Sequence, residues 1–511
     1  MVPSNPECHL PTPYLPRRPA DTTLYRLIQR HLETFLALCR ENAWEQEPMP
    51  AFAEEQFRRY LKCGILAHGF ARAHCSDCGH DFLIAFSCKG RGVCPSCNAR
   101  RMAETAAHLV ENVIPRLPVR QWVLSIPKRL RYFLRNDPRA INTALHIFLH
   151  AVESYLRESS LDADLTARIG AVAFIHRFGS SLNDHIHFHC VVLDGVFDKS
   201  PDGESTLHFH EATIHNTDIE PVQEKIRKRI LRAFVRRGFI DRNDAKEMLS
   251  WEHGGGFSLY ASARIEENDR EGLERLLRYC ARPSFALERI EEVDSETIIY
   301  HSPDSSEEGA TQLRLTPFEL IARIAALIPP PRLHRHRYFG VLAPNALLRD
   351  QVTALAQSAQ STSSSSQEIQ ENASPSTPSK SSEPDTQPPS SSVSPKESID
   401  IQNSSPSPSS TGSNRASKSK RISWAILLAR IYEIFPLLCP LCGGTIQIIS
   451  FVIETPSVRR ILEHIGEPME PPRVSPARGP PIWDEEINQD SLGDPLAQLA
   501  PDYEFDQTIS W

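Results

Sequence analysis

Three histidines stand at alternate positions, His185, His187 and His189, in the run His-Ile-His-Phe-His-Cys-Val-Val-Leu-Asp-Gly from 185 to 195. A β-strand turns successive side chains to opposite faces, so the three imidazoles share one face and Ile186, Phe188, Cys190 and Val192 share the other. Imidazoles lined up on a strand whose reverse side is apolar are costly unless something binds them, and a divalent metal is the usual partner. The competing reading is an edge strand with solvated histidines, against which the fully apolar opposite face weighs.

A second set of donors is cysteine. Cys75-Ser-Asp-Cys78 and Cys94-Pro-Ser-Cys97 give two C-x-x-C pairs at zinc-ribbon separation, and four thiolates close a tetrahedral Zn²⁺ shell with no open position, hence a structural site. A redox role for the pairs is the alternative. Cys63 and Cys88 are left over, each either a substitute ligand or a small buried hydrophobe. A later pair, Cys439-Pro-Leu-Cys442, resembles half a ribbon. It binds zinc by dimerising, by recruiting a histidine such as His464, or not at all.

The third reactive group is a phenol. Helical spacing over Arg270–Cys280 puts Leu273, Leu276, Leu277 and Cys280 on one face, with Tyr279 beside that stripe and Arg275, Arg278 and Arg282 close to it. Guanidiniums stabilise phenolate and hold phosphate oxygens, so this tyrosine is suited to meet a phosphodiester. Packing of a boundary tyrosine with a wet hydroxyl is the bland alternative.

These groups need elements to position them. An amphipathic helix is expected from Asp21, a candidate N-cap, to about Asn42, and another from Arg101 to Val113. Strands are expected at 121–127, 169–177, 185–193 and 257–264, with helices at 140–157, 219–237 and 270–280, an α+β pattern over about 106–350. From about 358 to 420 Ser, Pro, Thr and Gln dominate, the composition of a disordered linker. The division that follows is 1–105, helical with a zinc ribbon; 106–352, a sheet domain; 353–421, linker; 422–466, a small C-x-x-C module; and 467–511, an acidic tail.

The chain of 511 residues has a formal charge of −8, but the charge is segregated. Eleven Lys/Arg against three Asp/Glu lie between Lys89 and Arg139, a further basic block runs from Lys225 to Arg237, and eight acids without a base lie between Asp484 and Asp506. Local patches govern phosphate contacts, so the net charge does not exclude DNA. No apolar run approaches the roughly 20 residues of a membrane span. No signal peptide opens the chain, which points to the cytoplasm and to metal or free thiols rather than disulfides. No G-x-x-x-x-G-K-[ST] loop is present, so no nucleotide cofactor is expected.

Four blocks resemble the rolling-circle transposases of bacterial insertion sequences, HUH (His–hydrophobe–His) tyrosine enzymes preceded by a zinc-binding domain. They are Ala85–Met102 joined to Gln121–Pro127; Arg177-Phe-Gly-Ser-Ser-Leu-Asn183 leading into His187-Phe-His189; Arg278-Tyr-Cys-Ala-Arg-Pro283 with Leu287-Glu-Arg289; and Tyr338-Phe-Gly-Val-Leu-Ala-Pro-Asn345. The resemblance implies an HUH endonuclease domain, an antiparallel sheet with helices, after the zinc domain. It implies Mg²⁺ or Mn²⁺ on His187 and His189, with His185 a neighbour and the third ligand open among His176, Glu288 and glutamines. It makes Tyr279 the nucleophile that forms a 5′-phosphotyrosine. On the residues themselves, Arg275, Arg278 and Arg282 are the candidate phosphate contacts, and a single strand lying across the sheet would stack on aromatics such as Trp122 or the neighbours of Phe188. Pro283 lies four residues after Tyr279 and Arg275 four before, so the chain resembles the single-tyrosine branch. The implied function is cleavage and rejoining of single-stranded DNA at transposon ends and target. The alternatives are a catalytically inactive DNA-binding remnant or repressor, and a replication initiator or relaxase.

Overall fold

The computed structural model describes residues 18–41, 48–199, 207–306, 309–363, 439, 441–442, 444 and 446–478. The Ser/Pro-rich stretch from 364, residues 422–438 of the expected C-terminal module and the tail beyond 478 lie outside them. The fold is α+β, with the elements interleaved as follows.

Helix α1 (Thr23–Arg40) buries Leu24, Leu27, Ile28, Phe35 and Leu38 on the expected stripe. Its cap is Thr22 rather than Asp21, because the Thr22 hydroxyl accepts the Tyr25 amide. Helix α2 (Ala51–Tyr60) leads into the hairpin of β1 (Phe70–Cys75) and β2 (Asp81–Ala85). Helix α3 (Pro95–Asn112) begins inside the second C-x-x-C pair, with Cys94 as N-cap and Pro95 in its first turn, where a missing N–H costs nothing.

The central sheet has six antiparallel strands. Strand β3 (Val119–Ser125) is followed by helices α4 (Lys128–Asn136) and α5 (Pro138–Glu158), then β4 (Gly170–Phe178) and the histidine strand β5 (Asp184–Leu193). A hairpin of β6 (Gly195–Lys199) and β7 (Leu207–Glu211) comes next, then α6 (Ile219–Arg236) and α7 (Arg242–Ser250). The strand expected at 257–264 is split into β8 (Ser258–Tyr260) and β9 (Arg264–Ile265), both paired with β3. Helix α8 (Arg270–Cys280) is the tyrosine helix, with the expected bounds. A meander of β10 (Ile290–Glu292), β11 (Ile298–Ser306) and β12 (Gly309–Leu315) precedes α9 (Pro317–Leu327). Strand β13 (His336–Gly340) then returns to the central sheet as an edge, and α10 (Arg349–Ser363) follows. The sheet order is β13-β4-β5-β3-β8, with β9 beside β3.

Alternation divides this sheet cleanly. Trp122, Leu124, Ile186, Phe188, Cys190 and Val192 pack under α4–α7 on one face. Val172, Phe174, Val191 and Leu193 pack under α3 and α8 on the other, which also carries the histidines. Trp122 is fully buried in the first layer, so it is not a base-stacking surface, contrary to the sequence expectation. The basic block at 225–237 lies on α6, behind the sheet from the histidines. There Arg227 is buried, donating to the Met248 and Trp251 carbonyls, and Lys228 pairs with Glu224.

The chain's later segments return to the N-terminal unit. The meander and α9 share a core with α1, α2 and the loop around Cys88–Cys97. Strand β14 (Ile446–Val452) adds antiparallel to β1, giving the order β14-β1-β2, and α11 (Thr455–Ile465) places Val458 and Leu462 on Phe70. Residues 439–478 therefore join the N-terminal unit and do not form a separate body. No helix among the described residues is long and apolar enough to cross a membrane.

Candidate active site and metal centres

Register brings a third imidazole to the histidine strand. His176 on β4 pairs directly with His187 on β5, and Phe174 pairs with His189. Cross-strand partners share a face, so His176, His187 and His189 converge, their ligand nitrogens all within 4.8 Å of one another. A β-bulge after His176 sets Phe178 opposite Asp184 at the mouth of the site. His185 lies beside His187, its ring 4.9 Å away, but outside the converging three. Glu288 is on the α8–β10 connection against Thr23 and Arg26, remote from them. Of the sequence candidates for a third ligand, the structure brings His176 into place.

Each histidine has one nitrogen engaged and one left over. His176 Nε2 lies 2.6 Å from the Cys280 carbonyl oxygen, and His187 Nδ1 lies 3.2 Å from the His185 carbonyl oxygen. A carbonyl only accepts, so those nitrogens carry the proton, and His176 Nδ1 and His187 Nε2 keep a lone pair. His189 Nδ1 accepts from Gln121 Nε2 at 2.9 Å, an amide nitrogen that also faces Cys280 Sγ. Rotating that amide by half a turn brings its oxygen to Nδ1–H and leaves His189 Nε2 as a lone-pair donor. His176 Nδ1 and His189 Nε2 are buried without a hydrogen-bond partner, as expected of atoms meant for a cation. Burial holds all three rings neutral: it pushes His176 down to about 3, and His187 and His189 well below the usual imidazole range. Three neutral imidazoles with free lone pairs fit a divalent transition metal.

Helix α8 sets Tyr279 beside this cluster. Asp269 caps the helix through the Gly272 amide, and Arg270 donates to the Ile114 and Pro115 carbonyls at the end of α3. Leu273, Leu276 and Leu277 anchor its inner face. The Tyr279 ring meets His189 edge-on, centroids 5.5 Å apart. Arg282 stacks its guanidinium over the tyrosine ring at 4.3 Å and reaches Phe178 at 5.7 Å. Its two fellow candidates point elsewhere. Arg278 is paired with Glu274 at 2.7 Å, and Arg275 is exposed beside Glu271.

A cleft of about 280 Å³ opens next to His176. Its wall holds Arg91 and Arg101 from the zinc unit, Arg177, Arg335 and Arg337 from the sheet, and Arg282. Among the described residues no carboxylate lines it, the nearest compensation being Asp184 acting on Arg177. Burial, then the neighbouring Arg101 and Arg91 guanidiniums, holds Arg335 down at about 9. Cations at this density suit an anion. Sequence reading did not assemble this set, because its members are scattered over four segments.

The cysteines pair differently from the ribbon expected. Cys94 and Cys97 lie with Cys63 and Cys88, whereas Cys75 and Cys78 lie with Cys439 and Cys442. The β1–β2 hairpin carries the Cys75 knuckle away from α3, so the four cysteines of the ribbon reading do not meet. Cys63 and Cys88 are members of a cluster rather than spare hydrophobes. In the first cluster the sulfurs are 3.5–3.7 Å apart, close to the ~3.8 Å edge of a thiolate tetrahedron around Zn²⁺. The Cys88 and Gly90 amides point at Cys63 and Cys88 sulfurs, 3.2 Å away.

The family described as "Transposase zinc-binding domain" matches residues 28–126, and the family described as "Putative transposase" matches residues 170–348. The chain is 22% identical over 313 residues to the transposase for insertion sequence element IS801 of Pseudomonas savastanoi pv. phaseolicola, covering 60% of this chain and 74% of that one. It is 24% identical over 313 residues to the "Putative transposase y4qJ" of Sinorhizobium fredii (strain NBRC 101917 / NGR234), covering 55% of this chain and 72% of that one. No solved structure matches the chain. The chain thus matches a transposase zinc-binding domain and, after it, a putative transposase domain, and the histidine cluster and the tyrosine helix lie within the second match.

Proposed function

We propose that the protein cleaves and rejoins single-stranded DNA at the ends of an insertion sequence through a phosphotyrosine on Tyr279, driving rolling-circle transposition. The observation that carries the reading is the convergence of Tyr279, Arg282 and three lone-pair-bearing histidines at one end of one sheet face. The Tyr279 oxygen attacks the scissile phosphorus, an O–P bond to tyrosine forms, and the bond to the 3′ oxygen breaks, leaving a free 3′-hydroxyl. The 5′-phosphotyrosine conserves the bond energy, so rejoining needs no nucleotide cofactor. Arg282, stacked on the ring, stands within reach of a phosphate oxygen. A divalent cation on His176, His187 and His189 would polarise the phosphate and offset charge developing at phosphorus. An all-imidazole set favours Mn²⁺ over Mg²⁺, which prefers oxygen ligands.

The arginine cleft is read as the track for the strand next to the scissile phosphate, where the zinc unit and the sheet together grip the backbone. In this reading residues 106–352 supply catalysis, the zinc-bearing unit recognises the element's ends, and the protein works in the cytoplasm on DNA.

The test is cleavage of a labelled single strand carrying the element's end, with Mn²⁺, Mg²⁺ or EDTA. A covalent adduct is expected for the wild type with Mn²⁺, and none for Tyr279→Phe, His187→Ala or the EDTA control. An adduct of undiminished yield from folded Tyr279→Phe would overturn the assignment of the nucleophile.

A further inference from the structure

Cys75, Cys78, Cys439 and Cys442 form a cluster that neither matched domain contains whole, since both end well before residue 439. We infer that these four thiolates hold a second Zn²⁺, and that this ion fastens the C-terminal segment to the N-terminal unit to make one composite zinc ribbon. The inference is independent of the catalytic reading.

The local geometry is that of two facing zinc knuckles. Cys75 Sγ lies 3.5 Å from Cys442 Sγ, and Cys78 Sγ lies 3.6 Å from Cys439 Sγ. These separations are far longer than a disulfide at about 2.05 Å and close to the ~3.8 Å edge of a tetrahedral thiolate shell. Each knuckle is a tight turn with the amide pattern such ligands use. The Gly79 amide donates to the Cys75 carbonyl with Gly79 at φ +72°, and the Cys75 amide donates to the His80 carbonyl. On the other side the Cys439 amide donates to the Gly444 carbonyl, and the Gly444 amide reaches Cys442 Sγ at 3.4 Å. The two turns are fitted to each other, since a Cβ on Gly444 would lie 2.1 Å from Asp77 Oδ2.

Among the described residues the apolar surroundings of the cluster are Ala73, Phe82 and Ile446, with the cysteines themselves supplying the rest. Strand β14 adds only one edge to β1, and its Ile448, Ile449 and Phe451 side chains are exposed. A small sheet of this kind is the setting in which a structural metal supplies the missing stability. The ligands are 361 and 367 residues apart in paired contact, so one ion closes a ring around the whole catalytic domain. Beyond the ion, residues 471–478 continue along α1, where Gln29 donates to the Arg473 carbonyl and the Arg478 amide donates to Thr34.

Zinc is counted on the full-length protein by native mass spectrometry, with Co²⁺ substitution as a second readout of tetrathiolate absorption. Two ions per chain are expected for the wild type and one for Cys439→Ser/Cys442→Ser. One is also expected for Cys75→Ser/Cys78→Ser, and none when either is combined with Cys94→Ser/Cys97→Ser. Cys442→His, which keeps a zinc-competent donor set, should retain both ions. Hydrogen exchange separates lost metal from general misfolding: in Cys439→Ser/Cys442→Ser the β1 amides facing β14 should lose protection while β3–β5 keep theirs. A wild type with one zinc, or a Cys439→Ser/Cys442→Ser protein that keeps two, would overturn the inference.

Discussion

His176 decides whether the histidine strand is a site or a curiosity. On β5 alone, two neighbouring imidazoles could be solvated or packed; the third, delivered from β4 with its Nδ1 buried and unpartnered, makes a facial set of three donors. Its titration offers a prediction. Folded, His176 is held at about 3, chiefly by loss of solvation, whereas an unfolded histidine titrates near ~6.5. The unfolded chain therefore takes the proton first as pH falls. The stability from keeping His176 neutral is complete above the unfolded value and is lost on acidification toward the folded one. Between pH 7 and pH 5 the metal-free protein should lose about 2 kcal/mol on this account, and His176→Phe should flatten the slope by about that amount. Urea unfolding of both proteins at the two pH values, with chelator present, reads it directly. The same residue shows where sequence reading stops. The alternation of 185–189 and the helical stripe before Tyr279 are local periodicities, so the strand that carries His187 and His189 and the helix that carries Tyr279 were legible. Strand register is a tertiary fact, so His176 stayed one candidate among several. The choice among the arginines also fell to the fold, because Arg282 lies beyond the last helical turn and folds back over Tyr279, whereas Arg275 turns outward.

At the scale of elements, the site depends on how β3, β5 and β9 are locked together. Asp194, at the end of the histidine strand, is 1% exposed. It accepts two bonds from Arg120 on β3, both 2.9 Å, and one from Arg264 on β9 at the same distance. Nothing in the Leu-Asp-Gly sequence after the histidines distinguished this aspartate from a turn residue, since its partners lie 74 and 70 positions away in sequence. Removing Asp194 leaves the largely buried Arg120 guanidinium without a carboxylate, while Arg264 keeps Glu211 and Glu266, so Asp194→Ala should destabilise the domain by about 3 kcal/mol. Asp194→Asn, which keeps the shape and some hydrogen bonding, should cost less. Thermal and urea unfolding check both. The glycine of the Tyr338–Asn345 block has an equally physical origin. Gly340 ends β13 at φ +60°, and a Cβ there would lie 1.7 Å from the Ile169 carbonyl oxygen. Gly340→Ala should therefore loosen the β13 edge, which hydrogen exchange at β4 would report.

At the scale of the molecule, the division into successive domains read from the sequence gives way to two units that exchange segments. The N-terminal unit takes its core from α1, α2, the meander and α9, and its second sheet edge from residues 446–452. Composition marks where a linker lies but not which distant segments pack together, so this exchange left no trace in the sequence. Its functional consequence is the arginine cleft, whose walls belong to both units. A single strand crossing it would meet Arg91 and Arg101 from the zinc-bearing unit together with Arg335 and Arg337 from the sheet domain. Releasing counterions from single strands gives a salt slope of about −0.7 per phosphate neutralised. Arg91→Ala and Arg335→Ala should therefore each weaken binding of any single strand, whatever its sequence, and flatten log Kd against log salt by about 0.7. Arg236→Ala and Arg237→Ala, on α6 behind the sheet, should leave the slope unchanged. Fluorescence anisotropy with two unrelated oligonucleotides at several salt concentrations separates the outcomes. Equal slopes for all four variants would move the DNA path off the cleft, while a loss confined to one oligonucleotide would make these arginines readers of bases rather than holders of backbone.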